Sequence, residues 1–438
     1  MSPLLITVIM FAVLIGLMII NVPIAIALGA TGAFFTAWLW GGISALNMLP
    51  FRLYGMMDSF VIVAIPLFIL MGCILERSGI AEDLYEMMHG LIGRFRGGLA
   101  IGTVIICTIF AAMAGVTGAA TVSMGVIALP AMLKRKYDKG ITLGCIGAGG
   151  ALGVLIPPSV VIIVYGMFTE VSVGKLFAGG LVSGLILSLL YCLYIGIICH
   201  FRPHLGPAID REEILSLKEV VINSRSLILP IVLILAVLGS IFTGIATPTE
   251  ASAIGAIGSL VCAVLRRKFS FQLFKEAVLT TFSLNGMVFW LLVGGSILAS
   301  TFFGVGAPDA IKSLILDLNV NPWIVIFIFM IILFILGCFL DPGAIVMITT
   351  PFFCPIILAL GFDPLWFGIV FLTNMQMAYI TPPFGFNLFY LKGAAPPGTS
   401  MAEIYKSVVP FVALQAIGLF LIIIFPQIVM WLPNLIFN

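Results

Sequence analysis

The sequence predicts an all-α polytopic membrane protein built as an inverted structural repeat, and three observations carry that expectation. Of 438 residues, 62% are hydrophobic and only 9% charged, with a mean hydropathy of +1.27; a soluble chain carries about 25% charged residues. The run Ile156-Pro157-Pro158-Ser159 returns 225 positions later as Thr381-Pro382-Pro383-Phe384, each time inside a long apolar stretch. Proline lacks the N–H and its ring clashes with the preceding turn, so a helix cannot continue through either run. The same register also aligns Pro23 with Pro248, Gly118 with Gly343, Ala119 with Ala344, Pro130 with Pro355, Asp138 with Asp363 and Tyr165 with Tyr390. A duplication accounts for all of these: a first repeat over 1–199, a polar linker over 200–225 and a second repeat over 226–438.

A membrane span needs about 20 mostly apolar residues. Full-length candidates are 4–20, 24–40, 60–76, 177–199, 226–243, 249–265, 281–299 and 405–425. No Lys or Arg precedes the first of them, so it lacks the basic start of a signal peptide and reads as a span. Residues 99–133 are interrupted by Ala114-Gly115-Val116-Thr117-Gly118, with Arg94 and Arg96 before the segment and Lys134, Arg135, Lys136 and Lys139 after it. With both basic ends on one side, the segment is a re-entrant hairpin whose tip is the Gly/Thr run. Residues 321–360 repeat the shape around Asp341-Pro342-Gly343 without basic flanks, so that hairpin enters from the opposite side. Residues 140–168 and 364–392 are helices broken at the Pro pairs. Two shorter stretches of mixed polarity, 43–58 and 268–281, suit helices lying along the interface; an ordinary loop is equally open for the first.

Loops rich in Lys and Arg stay on the cytoplasmic side. With both termini outside, and each hairpin counted as non-crossing, seventeen of the twenty Lys and Arg fall inside; Arg52, Lys175 and Lys312 fall outside. Counting the hairpins as spans would put Arg266-Arg267-Lys268 outside. Five crossings in the first copy turn the second upside down, which is the inverted-repeat plan of secondary transporters. The net charge of +2 carries no nucleic-acid signal. Eight Cys lie in apolar stretches without metal-ligand spacing, and three His occupy connecting segments without a cluster. An intramembrane enzyme therefore finds no nucleophile–base pair or metal set in the spans.

Ionisable groups inside a bilayer are expensive and tend to be functional. Asp341 is the leading one, Glu250 stands at the start of a span, and no Lys or Arg lies deep in any span. A carboxylate substrate would then be held by neutral donors, helix N-termini and bound cations. Unwound carbonyls with hydroxyls suit a hard cation such as sodium. One ion is expected near Gly115, Thr117, Gly118 and Pro157, and its symmetry mate near Asp341, Gly343, Thr381 and Pro382. The substrate would lie between them, with Thr117, Ser159, Thr349, Thr350, Asn374 and Asn387 as candidate contacts. Each has a structural alternative. Asp341 before Pro342 also reads as a helix N-cap. Thr349 and Thr350 can bond back to their own helix, and Asn374, Gln376 and Asn387 can join helices. Thr247-Pro248-Thr249-Glu250-Ala251 reads as a capped helix start.

Several motifs together resemble one family: Gly93-Arg94…Gly97-Gly98-Leu99-Ala100, the run Ala114–Gly125, Gly149-Gly150-Ala151-Leu152-Gly153 before the first Pro pair, Thr247–Ala251, and Asp341-Pro342…Pro351…Pro355. The combination is similar to the large membrane subunit of tripartite ATP-independent periplasmic (TRAP) transporters, over nearly the whole chain. The resemblance implies an elevator-type, sodium-coupled importer of small organic acids in a bacterial inner membrane; the charge count above then makes the termini periplasmic. It also implies a small four-helix membrane subunit and a periplasmic substrate-binding protein as partners. The alternative is a stand-alone carboxylate symporter. Many members resemble Ser-Gly-Ser-Ser at the first tip, where this chain has Ala114-Gly115-Val116-Thr117, a pattern similar to the branch associated with 2-oxo acids, mannitol or chloroaromatic acids, which points to a monocarboxylate. C4-dicarboxylates and sialic acid stay open as substrates.

Overall fold

The computed structural model describes residues 1–115, 117–208, 225–317 and 320–437. Most of the inter-repeat linker, Val116 and Asn438 lie outside the described residues. Within them the chain forms α-helices with short 3-10 turns and no strands. The first copy comprises α1 (Pro3–Ile19), α2 (Ile24–Leu39), α3 (Met48–Met57), α4 (Phe60–Arg77), α5 (Ile80–Ile92), α6 (Gly98–Ala114), α7 (Thr117–Lys134), α8 (Lys139–Gly150), α9 (Val160–Thr169) and α10 (Val173–Phe201). The second comprises α11 (Arg225–Phe242), α12 (Pro248–Leu265), α13 (Phe271–Gly304), α14 (Ala307–Asp317), α15 (Pro322–Gly337), α16 (Pro342–Ala359), α17 (Pro364–Ala378), α18 (Phe386–Ala394) and α19 (Met401–Ile424). A last helix, α20 (Gln427–Phe437), has no counterpart among the described residues.

The ends of these helices follow local chemistry. Asp138 and Asp363 occupy matching positions and both cap the first half of a broken helix, accepting from Ile141 N–H at 3.1 Å and Leu365 N–H at 2.7 Å. Such a cap stabilises by about 1 kcal/mol. Thr247 and Glu250 form a reciprocal capping box at the start of α12, which agrees with the structural reading of that motif. One expectation needs correction. Residues 268–281 do not make a separate interfacial helix, because from Phe271 they are the first part of the 34-residue α13, about 50 Å long. In the first copy the corresponding chain stops at Met57 and restarts at Phe60. Asp58-Ser59, at that break, are poor interior helix formers, whereas the second copy has Ser283-Leu284 there. Helices α5, α14 and α20 were not anticipated.

Contacts obey the repeat. Helix α2 lies along α13, and the matched α12 lies along α4; α8 packs on α19, and the matched α17 packs on α10. Close approach between α2 and α13 rests on small residues: a Cβ on Gly294 would fall 2.4 Å from the Ala25 carbonyl oxygen. Beside this seam Thr36 Oγ1 meets Thr301 Oγ1 at 2.8 Å, and the Thr301 hydroxyl reaches the Gly32 carbonyl at 3.0 Å. Small residues with hydroxyl links are how helices hold together in lipid, where apolar burial alone gives little drive. Two bodies result. One is a scaffold of α1–α4 and α11–α13. The other is a block of the two hairpins (α6–α7, α15–α16), the broken helices (α8–α9, α17–α18), α10, α19 and α20. Helix α5 bridges them, packing on α6 and α11, while its mate α14 packs on α1 and α16. An Asp83–Arg266 ion pair, its arginine largely buried, ties α5 to the end of α12.

Candidate functional site

Each hairpin tip is built for close approach. Helix α6 ends at Gly115, whose φ of 64° is left-handed, a conformation glycine adopts without cost. Its carbonyl accepts from Val160 N–H at 3.4 Å, and a Cβ there would stand 2.8 Å from the Pro158 carbonyl oxygen. The first tip thus rests directly on the first Pro break. The second tip carries Asp341, whose Oδ2 accepts from Gly343 N–H at 2.9 Å and caps α16. It reaches its own break through rings, Phe339 against Phe384 at 5.8 Å between centroids.

Both tips open onto one cavity of about 80 Å³. Gly115 and Thr117 line it from the first tip, and Asp341, Pro342 and Gly343 from the second. The remaining wall is apolar, with Val160, Val161 and Val164 from α9, Ile69 from the scaffold helix α4, and Leu284, Met287, Val288 and Leu291 from α13. The cavity therefore lies at the seam between block and scaffold. Among the described residues no Lys or Arg lines it. Its oxygens, a carboxylate, a hydroxyl and tip carbonyls, are hard ligands that suit an alkali cation.

The other expected residues divide by location. Pro157 is fully buried in the first break; Ser159, beside it, donates to the Val154 carbonyl at 2.8 Å. Gly118 packs under the ring of Tyr390. Thr381 bonds back to Met377 O at 2.7 Å, and Pro382 is exposed. Thr349 likewise returns to Ile345 O at 2.7 Å, while Thr350 Oγ1 is buried without a hydrogen-bond partner. Asn374 donates to Met330 O at 2.8 Å, joining α17 to α15. Asn387 donates to Gly147 O at 2.7 Å and accepts from Thr121 Oγ1 at 2.7 Å. It clips α18 of one copy to α7 and α8 of the other. The structure thus gathers Gly115, Thr117, Asp341 and Gly343 onto one cavity; Ser159, Thr349, Thr350, Asn374, Asn387, Pro157, Gly118, Thr381 and Pro382 do not line it.

Two residues escaped the sequence reading of the site. Tyr379 Oη meets Thr117 Oγ1 at 3.3 Å. Tyr390 lays its ring against Gly118 of the first tip. The available signal was the Tyr165–Tyr390 register match, but register says nothing of which tip a tyrosine faces. Tyr165, the counterpart, donates to Pro364 O at 3.0 Å instead.

Residues 11–428 match the family described as the tripartite ATP-independent periplasmic transporter, DctM component. The chain is 33% identical over 409 residues to the C4-dicarboxylate TRAP transporter large permease protein DctM of Pseudomonas aeruginosa, covering 93% of this chain and 94% of that one. It is 29% identical over 430 residues to the sialic acid TRAP transporter large permease protein SiaM of Vibrio cholerae, covering 96% and 97%. Among solved structures, the YdaH transporter of Alcanivorax borkumensis has a like fold, with a TM-score of 0.68 over 92% of this chain and 98% of that one at 16% identity.

Proposed function

This chain belongs to the DctM component family of TRAP transporters, and on that premise we propose that it imports a small organic acid by sodium symport. As a large permease subunit it works in a multi-pass membrane setting. In the proposed cycle a periplasmic binding protein delivers substrate, a small membrane subunit braces the scaffold, and the block carries its cargo across a bacterial inner membrane. Both termini face the periplasm in this arrangement.

The observation that carries the reading is the meeting of two oppositely inserted hairpin tips on one cavity at the block–scaffold seam. Sodium is cargo here, held by Asp341, the Thr117 hydroxyl and tip carbonyls. Its charge offsets that of Asp341, so the cavity can accept a carboxylate without any Lys or Arg; unscreened, two like charges so close would repel strongly. The apolar wall suits the hydrocarbon part of the acid. Helices α5 and α14 act as matched links that let the block slide past the scaffold as a rigid body. The relatives named above carry a C4-dicarboxylate and sialic acid in their names, so organic acid is the shared class.

Uptake into proteoliposomes containing the chain with its small subunit and binding protein tests this. Import should collapse when the sodium gradient is removed, and import at an unchanged rate would overturn the coupling.

A further inference from the structure

A second and larger cavity, of about 530 Å³, lies away from the hairpin tips. Trp323, Phe362, Asp363, Trp366, Met430 and Trp431 line it, in a size range usual for ligand pockets. Trp323 and Trp366 stand in the first turns of α15 and α17. The cavity thus opens where two apolar helices begin, the depth at which tryptophan gathers beside lipid headgroups. Helix α20 closes the far side. Trp323 is 48% exposed and Trp431 is 53% exposed, so both leave indole surface open to an occupant of the cavity they line. Trp366 is buried and donates its Nε1–H to Ile422 O at 3.1 Å, a fixed back wall.

The charges decide what fits. Among the described residues, Asp363 is the one charged residue in the lining. Its Oδ1 caps α17, but a carboxylate offers about four lone-pair sites, so capacity remains for a second donor. Indole faces attract cations. An anionic headgroup would meet a carboxylate and no Lys or Arg. A trimethylammonium would find the aromatic faces but has no N–H for Asp363. A primary ammonium satisfies both. The amides of Gln427 and Asn434, also in the lining, can donate to the phosphate oxygens beside it. We propose that this cavity holds the headgroup of phosphatidylethanolamine, bound between α15, α17 and α20 and moving with the block.

Full-length chain in nanodiscs of mixed composition, released into native mass spectrometry, reads the retained lipids. Retention of phosphatidylethanolamine over phosphatidylcholine and phosphatidylglycerol by about tenfold is expected, the worth of one charge-assisted hydrogen bond. Asp363→Asn keeps the helix cap, since Asn caps as well as Asp, and should erase the preference over phosphatidylcholine. Trp431→Ala should lower retention of both ammonium lipids. Equal retention of phosphatidylglycerol, or an unchanged preference in Asp363→Asn, overturns the proposal. Retention of no lipid by the unaltered chain also overturns it and would leave this face to a protein partner.

Discussion

The two breaks share a Pro pair at the same register, and both Pro–Pro bonds are cis, yet their surroundings differ. Around the first, every residue from Ala151 to Val160 is buried, and the tip of its own hairpin covers it. Around the second, Pro382, Pro383 and Phe384 are exposed, and the Pro383 carbonyl is met by Tyr405 Oη at 2.6 Å, from α19 rather than from a hairpin. Symmetry of sequence has therefore not produced symmetry of access. Here the residues of the first break are buried and Pro382, Pro383 and Phe384 of the second are exposed.

That contrast can be attacked from several positions. The largest effect is expected at Asp341, because the second tip has a carboxylate where the first has none. Asp341→Asn preserves the cap on α16 while removing the charge, so sodium-dependent uptake should fall to background with the fold intact. Uptake that keeps its sodium dependence would reduce Asp341 to a cap. Next comes cysteine labelling in a background without the eight native cysteines. A thiol at Phe384 should react with a polar maleimide about a hundredfold faster than one at Ser159, as expected when one site is exposed and the other needs local opening. Equal rates would erase the distinction between the breaks. Sodium and substrate together should narrow the ratio if the block moves.

A smaller effect concerns the seal over the first break. Gly115→Val places a β-branched residue at a left-handed φ and against Pro158, and should destabilise by about 2 kcal/mol or more, read as a lowered unfolding temperature in detergent. A neutral outcome would mean that the tip does not press on the break. Smallest of all, Tyr405→Phe removes one hydrogen bond to the open break and should cost about 1 kcal/mol. A loss as large as that of Gly115→Val would show that the second break is as tightly held as the first.

Much of this fold could be read from residues. The single register of 225 runs from the second span, at Pro23, to the second broken helix, at Tyr390, because proline, glycine and capping aspartates act locally and leave their mark wherever they occur. The two hairpins were legible for the same reason. The joining of the interfacial segment into α13 was not, since it turns on two positions, Asp58-Ser59 in one copy and Ser283-Leu284 in the other, a difference in helix preference too small to read against the mixed polarity of the segment. At the site, Thr117 and Asp341 were legible as polar groups at apolar depth. Their convergence on one cavity, and the approach of Tyr379 to Thr117, are contacts between residues more than two hundred positions apart. No local pattern encodes them. Thr349 shows the converse: a buried hydroxyl can look like a ligand and simply close on its own helix.

The contacts of the hairpins' second arms bear on biosynthesis. Helix α7 packs on α18 and α16 packs on α9, so each copy finishes the other. When the ribosome has made only the first copy, Thr121 and the Gly147 carbonyl still lack Asn387, which lies 266 and 240 residues further along. Asp83 likewise waits 183 residues for Arg266. A first half alone would therefore leave Thr121 and the Gly147 carbonyl without the partner that Asn387 gives them. Two genes each encoding one half should yield a working permease only when expressed together, and either half alone should be prey for membrane proteases.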